Sequence, residues 1–143
     1  MRKLVIILSV FLVSLSACAN EKPILFEQLP HAAQAFINTH FPSLPIAYIE
    51  HEREGLRDDY KVYFKNGAEL EFGEQGSLQT VDCQRSEVPA SIIPDPIENY
   101  VSQYFPGAFI VSYSIDYRHL DVELNNDFEL VFDHSYNIIR TDD

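Results

Sequence analysis

The side chains best placed to do chemistry are carboxylates at every second position. Glu69 and Glu71 are two apart, as are Asp121 and Glu123, and Glu129 follows close behind the second pair. In an extended chain, residues two apart project from the same face, so each pair sets acidic oxygens side by side. Acids on neighbouring strands then come within reach of one another. Hard oxygen donors of this kind suit Ca²⁺, although the spacing is not that of an EF-hand loop. The plainer reading is a solvated strand face that discourages edge pairing. By parity Tyr48, Tyr63, Lys61 and Lys65 fall on that same face. Tyrosines set among charges are a common way to build a protein-binding surface, since Tyr supplies contact area at low entropic cost. Against that stands simple cross-strand pairing that steadies the sheet. The candidate partner-binding set is therefore Tyr48, Lys61, Tyr63, Glu69, Glu71, Asp121, Glu123 and Glu129, with a calcium response through the carboxylates as the alternative.

Other chemistries find less support. The five histidines, His31, His40, His51, His119 and His134, form no HxxxH or HExxH pattern and no cluster with cysteine. No Gly-x-Ser-x-Gly elbow supports a triad. The five glycines all sit at turns or element ends, so no loop is built to cradle a phosphate. Cys83 has Arg85 nearby but no adjacent histidine, and a reactive thiolate needs a cation or a helix N-terminus beside it. A small, partly buried residue at a strand end is the expected role. The expectation is a non-enzymatic protein with no catalytic residue, no resident metal and no cofactor.

These residues need elements to hold them. Tyr60–Phe72, YKVYFKNGAELEF, alternates apolar and polar positions on both sides of Asn66-Gly67. Period two with one apolar face predicts half-buried antiparallel strands, and Asn-Gly between them predicts a tight type I′ hairpin. Sixty residues on, Leu120–Phe132, LDVELNNDFELVF, repeats the pattern with Asn126-Asp127 at the turn. Asp tolerates left-handed geometry less well than Gly, so more strain is expected there. Upstream, Leu29, Ala33, Phe36, Ile37 and Phe41 make one helical stripe ended by Pro42. Ile93, Ile97, Tyr100, Val101 and Tyr104 make another ended by Phe105-Pro106-Gly107, with Asp95 as N-cap and Glu98 completing a capping box. The repeat offset is 64 in the helices and 60 in the hairpins; the difference falls in Glu54–Asp58, expected as a loop. Strands over 46–53 and 108–117, and a last strand after each hairpin, complete the pattern. The fold class expected is α+β: two tandem units, each one helix plus a four-stranded antiparallel sheet, at 29–83 and 93–143 with a linker at 84–92.

The N-terminus reads as an export signal. Arg2 and Lys3 precede an apolar run, Leu4–Val13, too short to span a bilayer with ease. Leu15-Ser16-Ala17-Cys18 resembles the lipobox of bacterial lipoproteins. That resemblance implies a signal peptide at 1–17, acylation of Cys18 and, with Ala19 next, the outer membrane; residues 18–28 then serve as lipidated cysteine and tether. Removing Arg2 and Lys3 leaves 8 cations against 22 acids, a mature charge of −14. Such a surface repels nucleic acid and anionic lipid and suits a basic protein or peptide, with simple solubility as the alternative.

The stretches LPHAAQAFINTHFP, YKVYFKNGAELEF, GSLQTVDC and VPASIIPDPIENYVSQYFP together resemble the PepSY-like domain of secreted bacterial proteins, a fold similar to beta-lactamase inhibitory protein. The resemblance covers nearly all of 29–142. It implies a non-enzymatic periplasmic or surface-anchored protein, with inhibition suggested by analogy of fold. Taken with the lipobox and the tyrosine–carboxylate face, the function expected is that of a lipid-anchored envelope protein, facing the periplasm or the cell surface, that binds a protein or peptide through its open sheet face as an inhibitor or a sensor component.

Overall fold

Strands form wherever apolar and polar residues alternate, and helices form at the two apolar stripes. The computed structural model describes residues 20–143; the leader and Cys18 lie outside them. The order is β1 (Asn20–Pro23), a 3-10 turn (Phe26–Gln28), α1 (His31–His40), β2 (Ile46–Glu54), β3 (Arg57–Phe64), β4 (Glu69–Phe72) and β5 (Leu78–Asp82). Then come α2 (Asp95–Tyr104), β6 (Ile110–Ile115), β7 (Leu120–Leu124), β8 (Glu129–Phe132) and β9 (Ile138–Asp142). The nine strands of the described residues form one antiparallel sheet in chain order.

The α+β class holds, but the strands of 29–83 and of 93–143 are not separate sheets. Thr80 pairs with Ser114, Val81 with Tyr113 and Asp82 with Ser112, and the Ser114 hydroxyl donates to Thr80 Oγ1 at 3.2 Å. Pairing β5 with β6 removes two edges that would otherwise present rows of free N–H and C=O groups. The expected tether is also corrected. Asn20–Pro23 is a strand on β2, and the Ile24 N–H donates to the Ile49 carbonyl at 3.0 Å.

One core lies between the sheet and the helices. From the first half Val62, Leu70, Phe72, Val81, Ala33 and Ile37 are buried in it, and from the second Val122, Leu130, Phe132, Ile97 and Val101. Both halves use the same aromatic contacts. Phe36 stands edge-on to Phe72 at 5.6 Å and 76°, and Tyr100 edge-on to Phe132 at 5.3 Å and 90°. Tyr104, expected in the second stripe, is instead 58% exposed beside Tyr100. Its position at the last residue of α2 carries it past the edge of the core.

Four of the hairpin turns share one design, and it is not type I′. The Phe64 N–H donates to the Ala68 carbonyl and the Gly67 N–H to the Phe64 carbonyl, with Gly67 at φ +92°. Only Gly67, not Asn66, has positive φ. This is a three-residue loop closed by one left-handed residue. Leu124–Phe128 repeats it with Asp127 at φ +69°, so the left-handed Asp expected there is present. Gly73–Ser77 and Asp133–Asn137 repeat it again, with Gly76 at φ +82° and Tyr136 at φ +64°. Glu54–Asp58 is not a loop, because Glu54 pairs with Arg57 across a two-residue turn, Gly55-Leu56, with Gly55 at φ +63°. The four extra residues therefore lengthen the β2–β3 hairpin. At α2 the helix begins at Asp95 itself, Pro94 is the cap, and no side chain caps it. Glu98 instead lies half-buried near Glu87 and Asp95, and burial first, then those two charges, push its carboxyl up.

Candidate functional site

Because the helices cover one face, the alternate residue of every strand projects from the other. Strand register sorts these open-face residues into two rows. One runs Tyr48, Tyr63, Glu69, Asp82, Ser112, Glu123, Glu129, Asp142. The next runs Glu50, Lys61, Glu71, Thr80, Ser114, Asp121. All eight residues singled out from the sequence lie in these two rows. The sheet interleaves them with others that sequence reasoning missed: Asp82, Thr80, Ser112 and Ser114. Alternation around Val81 would have placed the first two. The serines needed the pairing of β5 with β6, which no local pattern announces.

The first row is laid out in blocks. At one end the Tyr48 and Tyr63 rings stack at 4.3 Å and 20°, with Tyr48 half exposed. Burial first, then Glu50, push the Tyr63 hydroxyl up, so it stays protonated and able to donate. Further along, acids face acids: Glu69 is directly opposite Asp82, and Glu123 directly opposite Glu129. Like charges in that position destabilise a sheet. Among the described residues no cation lies within ion-pair distance of Glu69, Asp82, Glu123 or Glu129. In the second row Lys61 Nζ sits 3.0 Å from Glu52 and 3.9 Å from Glu71. The Glu52 hydrogen bond, more than the opposing burial, holds that ammonium charged. A shallow cavity of about 240 Å³ opens on the second half of the face, lined by Ser112, Ser114, Asp121, Glu123 and Glu129. Its oxygens match calcium in type. Among the described residues, however, no three metal-ligating side chains converge on one point, so this arrangement is not a preformed cage.

Four of the five histidines and Cys83 are occupied or enclosed, while His31, at the start of α1, is exposed. His51 Nε2 is 2.8 Å from Asp58 Oδ1 while its ring stacks on Tyr60. His119 Nε2 is 3.1 Å from Asp121, and His134 Nε2 lies 2.8 Å from the Asp116 carbonyl. His40 Nδ1 lies 2.9 Å from the Ser91 hydroxyl. Cys83 is 6% exposed, and burial pushes its thiol up to about 11, the wrong direction for a nucleophile.

Comparison with known proteins agrees with this architecture. A family described as beta-lactamase-inhibitor-like, PepSY-like matches residues 58–140. A crystal structure provisionally described as a periplasmic protein of the DUF2874 family, from Bacteroides vulgatus ATCC 8482, is 38% identical. That similarity covers 87% of this chain and 98% of the other, with a TM-score of 0.85. A second, from Bacteroides thetaiotaomicron, is 37% identical over 86% and 97% of the two chains, with a TM-score of 0.84. It is provisionally described as a calcium-regulated periplasmic protein. A third, provisionally described as a periplasmic protein of unknown function from Bacteroides vulgatus ATCC 8482, is 28% identical over 86% and 99%, with a TM-score of 0.81. No functionally curated protein matches the chain.

Proposed function

Because the chain belongs to the PepSY-like family, we propose that it is a lipid-anchored envelope protein that binds a basic protein or peptide segment through the open face of its sheet. The observation that carries this reading is the row Tyr63, Glu69, Asp82, Ser112, Glu123, Glu129. It holds two like-charged pairs that weaken the isolated sheet. A strand or loop carrying Lys or Arg, laid across the row, relieves both repulsions while the stacked tyrosines supply apolar area. The reading involves no catalytic step. It treats Cys18 as the acylated residue that moors the protein at the outer membrane, in keeping with the periplasmic description of its structural neighbours. It also takes the matched registers Tyr60↔Phe72 and Leu120↔Phe132, each with its edge-on aromatic partner, as one helix-plus-four-strand unit used twice.

Affinity purification from envelope extract tests it, comparing the parent with Tyr63→Ala and Glu71→Lys. Loss of the same partner from both variants is expected; unchanged recovery with both contradicts the reading.

A second reading, favoured by the calcium-regulated description of the Bacteroides thetaiotaomicron structure, is a divalent-cation response through Asp121, Glu123 and Glu129. It requires these carboxylates to move together on binding. Binding to the native state alone raises the melting temperature. A rise in millimolar Ca²⁺ that Glu123→Gln removes supports the response, and an unchanged transition dismisses it.

A further inference from the structure

The antiparallel order gives the sheet two unlike rims. One rim carries the β2–β3 turn Gly55-Leu56, the β4–β5 turn, the β6–β7 turn Asp116–His119 and the β8–β9 turn. Three of these turns carry an exposed apolar side chain, Leu56 at 94%, Tyr117 at 78% and Tyr136 at 40% exposure, while the β4–β5 turn carries Glu74 and Gln75. The turns at the other rim are Lys65-Asn66-Gly67 and Asn125-Asn126-Asp127, which carry only polar side chains and glycine. A cleft of about 550 Å³ reaches from Arg57, next to the β2–β3 tip, to Ile115, Tyr117 and His119 at the β6–β7 tip, across a polar floor that includes Glu71, Thr80 and Ser114.

The chain enters the fold at this same rim. Asn20, the first residue of β1, pairs with Arg53, three residues before Leu56. Cys18 is two residues further out, so its Cα lies within roughly 7 Å of that strand end. Ala19 alone lies in sequence between an acyl-bearing Cys18 and β1, which is hydrogen-bonded to β2.

We propose that the Leu56–Tyr117 rim is a membrane-contact surface. Once Cys18 is acylated, the two tips rest in the headgroup region of the leaflet, the sheet stands upright on it, and the tyrosine–carboxylate row faces sideways, open to partners. The inference rests on the lipid anchor of the preceding subsection and adds an orientation that the anchor alone does not supply. Tyr is at home at a lipid–water boundary. The Arg118 guanidinium, 4.9 Å over the Tyr117 ring, has an aliphatic stem that lets its charge reach lipid phosphate. Charge does not drive the contact, because Arg53 and Arg57 are paired with Asp58 and Asp59 and the mature chain is strongly acidic. The acyl chains hold the rim in place, and the apolar tips set its angle.

The chain contains no tryptophan, so single reporters read out cleanly. Leu56→Trp, Tyr117→Trp and, at the opposite rim, Asn126→Trp are made in the full acylated protein. Each is reconstituted in phosphatidylethanolamine–phosphatidylglycerol vesicles containing brominated lipid. Expected are a blue shift and loss of emission at positions 56 and 117 but not at 126, equal at low and high phosphatidylglycerol. Unquenched tips in protein whose Cys18 is acylated by mass spectrometry overturn the orientation and leave the anchor standing; equal quenching at position 126 does the same. A bare Cys18 in the native host removes the anchor and the orientation together.

Discussion

At φ +69° Asp127 holds a backbone conformation that costs a non-glycine residue roughly 1–2 kcal/mol, less for Asp because its short side chain can bond locally. Its counterpart Gly67 carries no such strain. Asp127→Gly is therefore expected to stabilise the protein by about 0.5 kcal/mol, raising the melting temperature by a degree or two in calorimetry. Gly76 runs the other way. A Cβ there would stand 2.8 Å from the Ala33 backbone nitrogen and 2.9 Å from Pro30 Cβ, at φ +82°. Neither a helix backbone nor a proline ring can swing aside, so Gly76→Ala should cost about 2 kcal/mol or more, measured by denaturant unfolding. The two halves thus solve the same turn differently. In the first, glycine admits the close approach of α1; in the second, Tyr136 occupies the equivalent left-handed position.

At the scale of elements, the helices show where local sequence sufficed and where it did not. The stripe Leu29, Ala33, Ile37, Phe41 is buried as its spacing demands, because an amphipathic period and a terminating proline act within one helix. The hairpins were legible for the same reason. The Asp95–Glu98 capping box was not realised, because the helix starts one residue earlier and Glu98 is drawn under neighbouring chain. A carboxyl whose folded pKa is raised destabilises the fold at pH values above that pKa, and the penalty vanishes once the pH falls below the unfolded value, where both states are protonated. Glu98→Gln is accordingly expected to raise the melting temperature near neutral pH, with the gain shrinking to nothing at about pH 3. A gain that persists there would assign the effect to something other than ionisation. The open face was half legible. Parity put Glu69, Glu71, Asp121 and Glu123 on one side, but their union into continuous rows depends on the Thr80–Ser114 seam between distant segments. Asn20–Pro23 escaped notice because a short polar strand with a proline reads as a tether until β2 is there to pair with it.

At the scale of the whole molecule, one sheet with one core makes the two halves a single cooperative unit. Val81 is fully buried beside that seam and pairs with the buried Tyr113. Val81→Ala should cost about 1–2 kcal/mol while keeping a single unfolding transition; two separated transitions would mean the halves fold independently. The same continuity presents the stacked tyrosines and the opposed acids as one uncovered surface, and on this the functional account depends. Photo-crosslinking in the native envelope tests it most directly, with the reactive side chain placed at Ser112, mid-row, or at Gln103, exposed on α2. The account predicts a discrete partner adduct from Ser112 that Glu69→Lys abolishes, and none from Gln103. An adduct from Gln103 with none from Ser112 would contradict it.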